Sequence, residues 1–69
     1  MIPADARKEL EDRLEECIET LTANKDALID LNASDLRGFK EILDAVDEEV
    51  ESLVDTGNNC REALAEEGN

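Results

Sequence analysis

The chain has no His, no Trp and no Tyr, a single Phe, a single Pro, and only two Ser and two Cys. Without imidazole there is no ready general base near neutral pH, and no Gly-rich phosphate loop or other cofactor fingerprint is present. Catalytic and cofactor-binding residues are therefore expected to be absent, and the protein is not expected to be an enzyme. A di-metal site inside a helical bundle would need inward-facing Glu and a Glu-x-x-His motif, so no metal site is expected either. Carboxylate runs such as Glu15-Glu16-Glu19 and Asp47-Glu48-Glu49-Glu51 read as solvated helix faces.

Positive charge is scarce. Seven Lys and Arg stand against twenty Asp and Glu, for a net charge of −13. Most of such a surface repels a nucleic-acid backbone or an anionic membrane, which makes direct nucleic-acid binding a minority expectation. The same excess suits a solubilising surface, a basic protein partner, or the high-salt cytoplasm of a halophile. No apolar run approaches the ~20 residues that span a bilayer, and no secretory leader pattern is visible. Cys17 and Cys60 form no CxxC, so reduced cytoplasmic thiols are expected in place of a disulfide framework or zinc site.

With so few aromatics, the core must come from Leu, Ile, Val and Ala, which favours helix packing over strands. Leu10, Leu14, Cys17, Leu21, Asn24, Leu28 and Leu31 recur at alternating steps of four and three, the rhythm of a packed helix. Leu36, Phe39, Leu43, Val46, Val50 and Leu53 repeat it, and the phase runs on through Gly57, Cys60 and Leu64. Pro3 suits a first helical turn, and Asp5 suits the positive helix end. The expected fold is all-α: a single domain over 1–69, with one helix over about 4–31, a turn at 32–35 and a second helix over about 35–66. The stretch Asp55-Thr56-Gly57-Asn58-Asn59 leaves two readings of helix 2, one continuous and one broken near 57–59, because the heptad continues where helix propensity is poor.

So short a turn makes the helices antiparallel, with Asn32 or Ser34 expected to accept hydrogen bonds from the N–H groups that open helix 2. Centring the turn at 33 and 34 pairs Leu28 with Phe39, Leu21 with Val46, Cys17 with Val50 and Leu14 with Leu53, each pair totalling 67. Cys17 and Cys60 then lie about 15 Å apart along the axis, beyond disulfide reach. Asn24 falls in the apolar row, where it either fixes register or sits at an exposed edge. Residues 10–21 and 42–53 echo each other, as shared heptads would make them do.

The apolar stripe is wider than a two-helix seam needs, since Ile18, Ile42, Val54 and Ala63 flank it. Sixty-nine residues also make a small core, which oligomerisation commonly supplements. The expected assembly is a homodimeric four-helix bundle, with Leu14, Cys17, Ile18, Leu21, Phe39, Ile42, Val46, Val50 and Val54 as its self-association or partner interface. With no Gly-rich phosphate loop and no other cofactor fingerprint, no cofactor is expected.

The stretch LIDLNASDLRGFKEILDAVDEEVESLV at 28–54, a heptad helix end, a tight Asn/Asp turn and a second heptad helix, resembles the hairpin of the Rop family of plasmid copy-number regulators. That resemblance implies a helical hairpin that dimerises antiparallel. Rop's binding of paired RNA loops rests on basic, polar and aromatic residues of helix 1. Helix 1 here has no aromatic and a surplus of carboxylates, so RNA binding through Arg7, Lys8, Arg13, Lys25, Arg37 and Lys40 is the least favoured reading. Ahead of it stand an interaction or regulatory module and an acidic mimic of nucleic acid that occupies a basic partner.

Overall fold

In the computed structural model, which describes residues 1–67, two helices pack side by side: α1 (Ala4–Ile29) and α2 (Leu36–Glu67). Pro3 precedes the first helical residue with extended backbone, and its carbonyl oxygen accepts from the Arg7 N–H at 3.1 Å. The absent proline N–H costs nothing there, since first-turn donors have no helical partner. α1 stops two residues short of the expected Leu31. The Asp30 N–H still reaches the Asp26 carbonyl, but the Leu31 N–H tightens onto Leu28, and the chain leaves the helix.

The turn is held by its own side chains. Asn32 Oδ1 accepts from the Ser34 N–H at 3.0 Å and from the Ser34 hydroxyl at 2.8 Å, and the Asp35 N–H returns to the Asn32 carbonyl at 2.9 Å. Ser34 accepts from the opening Leu36 N–H through its backbone carbonyl at 3.1 Å, but the side-chain cap of α2 is Asp35. Its carboxylate accepts from the Gly38 N–H at 2.8 Å, satisfying one of the donors that open the helix. Gly38 fits this geometry because a Cβ there would lie 2.6 Å from Asp35 Oδ2 and 2.8 Å from Leu31 Cδ1.

α2 is continuous through Gly57, so tertiary pattern prevails over local propensity in the Asp55–Asn59 stretch. A mid-helix glycine costs about 1 kcal/mol relative to alanine, less than the apolar contacts the continuing helix retains. At the far end, the Cys60 thiol lies 3.4 Å from the Ala6 carbonyl oxygen, which makes the hairpin antiparallel and sets its register within one residue of that expected. The long axis measures 55 Å and the shortest 9 Å, so the hairpin is a slab one helix thick.

The seam between the helices follows the expected apolar rows only in part. On α1 the residues withdrawn from solvent are Ala6, Leu10, Arg13, Cys17, Thr20 and Asn24; on α2 they are Gly38, Ile42, Ala45, Val46, Glu49, Ser52, Leu53, Thr56, Gly57, Cys60 and Ala63. Among the described residues only Ala6, Cys17 and Thr56 are buried outright, the last at 4% exposure. Small side chains let two helices approach closely, while Leu14, Leu21, Leu28, Leu43 and Val50 stay outside the seam.

Candidate interaction surface

Over the middle of the hairpin, rotating one residue onward from the seam positions generates an apolar row. From Arg13, Cys17 and Thr20 the step leads to Leu14, Ile18 and Leu21; from Gly38, Ile42, Ala45, Glu49 and Ser52 it leads to Phe39, Leu43, Val46, Val50 and Leu53. Because the helices are antiparallel and both right-handed, this step turns both of them towards the same side of the slab. Stepping one residue back leads instead to Asp12, Glu16 and Glu19 on α1, and to Glu41, Asp44, Glu48, Glu51 and Asp55 on α2. Over this stretch one broad face is apolar and the other is a field of carboxylates, while Arg7, Glu11, Lys25 and Arg61 add charge to the apolar side towards its ends.

The residues expected at an interface divide accordingly. Leu14, Ile18, Leu21, Phe39, Val50 and Val54 are exposed on or beside the apolar face, with Phe39 at 42% and Val50 at 52%. Val46 and Ile42 are half-buried at its inner edge, and Cys17 is closed within the seam. The expected Leu28–Phe39 and Leu21–Val46 layers therefore lie beside the seam and not across it. Contiguous exposed apolar area of this kind is the sort of surface on which proteins commonly meet other molecules.

At the open end of the hairpin, Ile2, Pro3, Ala6, Arg7, Leu10, Cys60 and Leu64 line an apolar hollow of about 150 Å³. Sequence reasoning missed this feature. Its signal was the small size of Ala6 and Cys60 at one level of the hairpin.

No protein-family model, no curated protein and no solved structure matches this chain. The likeness to the Rop hairpin accordingly stands at the level of architecture, two heptad helices joined by a tight polar turn.

The polar groups offer little chemistry of their own. Ion pairs among the described residues are local, such as Lys8 to Asp12 at 3.0 Å and Arg13 to Glu16 at 2.8 Å, and both follow one helix face. The hydrogen bond and charge of Asp12, with Glu11 and Glu15 nearby, raise the Lys8 ammonium above its ordinary value of 10.5. Among the described residues no three His, Cys, Asp or Glu side chains gather where a metal ion could be held, and no helix is long and apolar enough to cross a membrane. Cys17 and Cys60 are free thiols. On the seam, Arg13 Nε, Asn24 Nδ2 and Glu49 Oε1 are buried without a hydrogen-bond partner.

Proposed function

We propose that this chain is a small acidic interaction or regulatory module, non-enzymatic, that works as a homodimeric four-helix bundle. The observation that carries the reading is the segregation of the apolar and carboxylate faces. A compact chain of this mass exposes about 4,300 Å², whereas this one exposes 5626 Å². Covering the difference on each of two copies buries roughly 2,600 Å² in all, within the range of obligate homodimers. A second copy is the economical occupant, because stacking two apolar faces turns both carboxylate faces outward and keeps like charges a bundle's width apart.

The outward carboxylates then supply the working surface, which suits a basic protein partner. An acidic mimic that occupies a nucleic-acid-binding protein is the extreme form of the same idea, supported by the rod shape and the charge of −13. Two free thiols suit a reducing, cytoplasmic setting.

The decisive measurement is mass in solution by light scattering or sedimentation, at low and molar salt. Twice the 7.6 kDa chain mass is expected, with Val50→Asp shifting the protein to a poorly helical monomer. A strictly monomeric wild-type chain of full helicity would overturn the reading.

A further inference from the structure

The open end of the hairpin is built unlike its middle. Its hollow of about 150 Å³ has an apolar wall, and the chain leaves that space open although two large side chains border it, Ile2 at 64% exposure and Leu64 at 50%. Ala6 and Cys60 are too small to fill it. The Cys60 thiol donates to the Ala6 carbonyl oxygen at 3.4 Å, so its polar hydrogen is already engaged and the hollow meets sulfur and carbon. Arg7 joins the wall through its carbon stem, the usual way for methylenes to cover apolar surface while the guanidinium stays in water.

We propose that this hollow binds a small apolar carboxylate from solution, its body of about six carbons seated among Ile2, Leu10, Cys60 and Leu64 and its anionic head held at the rim by Arg7. One chain walls the site by itself, so the inference goes beyond the homodimer reading and does not rest on it.

Volume sets the body of the ligand. An apolar cavity of about 150 Å³ takes a benzene ring, which fixes the scale at roughly six carbons, and such an occupant supplies the dispersion contacts that the lining lacks on its open side. Charge sets the head. Among the described residues the ion pairs are those of Lys8, Arg13 and Arg37, and Arg7 takes part in none of them. Arg61 stands on the same side of the hairpin, because Ala6 and Cys60 meet across the seam and the two arginines each lie one residue onward. Its guanidinium has a neutral partner, Asn58 Oδ1 at 2.9 Å. The same step from Leu10 leads to Glu11, so this end of the face carries two guanidiniums to one carboxylate on a chain of net charge −13.

The two ends of such a ligand sort themselves. An ionised carboxylate is costly to bury without a partner, whereas a short hydrocarbon is stabilised by leaving water, so the chain points inward and the head stays at the rim. There the planar guanidinium of Arg7 presents paired N–H donors that match a carboxylate's two oxygens. A neutral molecule of the same size fills the hollow equally well but leaves Arg7 to water, and a bare small anion gains the charge without the hydrocarbon seat.

The test titrates the full isotope-labelled chain with sodium hexanoate at constant ionic strength, followed by amide NMR, with acetate and hexanol in parallel. Hexanoate should give saturable shifts confined to Ile2, Ala6, Arg7, Leu10, Cys60 and Leu64, and acetate should give none. Arg7→Gln should weaken hexanoate by about two- to fivefold, the range of an exposed ion pair, and leave hexanol unchanged. Ile2→Asp, outside α1, should abolish hexanoate binding with helicity retained. Absence of a saturable shift overturns the site, as do shifts of equal size at Phe39, Leu43 and Val50, which would mark general adsorption to the apolar face. Equal losses of hexanoate and hexanol in Arg7→Gln, or no loss of either, overturn the anionic head. Signals at the hollow that respond to dilution of the protein and not to hexanoate would mean that a second copy fills it; that result overturns this proposal and leaves the homodimer reading standing.

Discussion

The Cys60 thiol donates to the Ala6 carbonyl oxygen across 3.4 Å, joining positions 54 residues apart at the open end of the hairpin. Cys17 lies eleven positions further along α1 from Ala6, about 16 Å at 1.5 Å per residue. Oxidation should therefore produce no disulfide between Cys17 and Cys60. Unchanged mobility of the monomer band on a non-reducing gel, with two thiols titrated after unfolding, is the expected result.

Asp35 caps α2 through the Gly38 N–H at 2.8 Å. Replacing it with Ala should lower stability by about 1 kcal/mol, read as a fall in Tm by circular dichroism. Asn32→Ala should also destabilise, because Asn32 Oδ1 holds the Ser34 N–H in the turn. A larger loss for Asn32 than for Asp35 would mean that the expected cap, and not the observed one, starts the helix in solution.

Asn24 Nδ2 is buried on the seam without a partner. An orphaned polar group carries a desolvation cost of about 1–3 kcal/mol, so Asn24→Leu should raise Tm. An unchanged or lower Tm would show that Asn24 is hydrated in solution and leave it no role in the seam.

Asp26 and Asp30 lie at the C-terminal end of α1, where the helix dipole is negative and no basic residue is present in the last turn. Asp30→Lys should stabilise the hairpin by roughly 0.3–1 kcal/mol at low salt, and the gain should shrink as salt is added. Equal gains at low and molar salt would rule out the dipole as its source.

Each chain carries −13, and packing two helices crowded with carboxylates concentrates that charge. Raising NaCl from about 0.01 M to 1 M shortens the screening length from about 30 Å to about 3 Å, so Tm should climb with salt across this range. A Tm that falls with salt would mean that attractive ion pairs dominate, against the local and exposed character of the Lys8 and Arg37 pairs.

The two helices, the turn between them and their antiparallel register were legible in the heptad steps from Leu10 to Leu31 and from Leu36 to Leu64. The phase of the seam was legible only in part, since Leu10, Cys17, Asn24, Val46, Leu53 and Cys60 of the expected rows are withdrawn from solvent. Apolar periodicity reports where a helix wants dry contact, and it does not say which neighbour provides it. Leu14, Leu21, Leu43 and Val50 were expected between α1 and α2, yet the hairpin closes on Ala6, Thr20, Ala45 and Thr56 and leaves those larger residues outside. Continuity through Gly57 was open because helix propensity and heptad phase gave contrary answers, and long-range packing decides between them. The Asp35 cap was missed because Asn32, Ser34 and Asp35 are all good capping types within four positions.

A slab whose backbone spans only 9 Å in its thin direction has almost no interior, with Ala6, Cys17 and Thr56 as its few buried residues. If two copies pair as proposed, the most rigid state is reached only in company, and the free energy of folding contains a term in the chain's own abundance. Dilution acts on such a chain as urea acts on an ordinary domain. A cell making few copies would hold them loosened and open to proteases, while a cell making many would hold them intact. The amount of working protein would thus rise more steeply than its synthesis, and a threshold would exist with no dedicated sensor to set it.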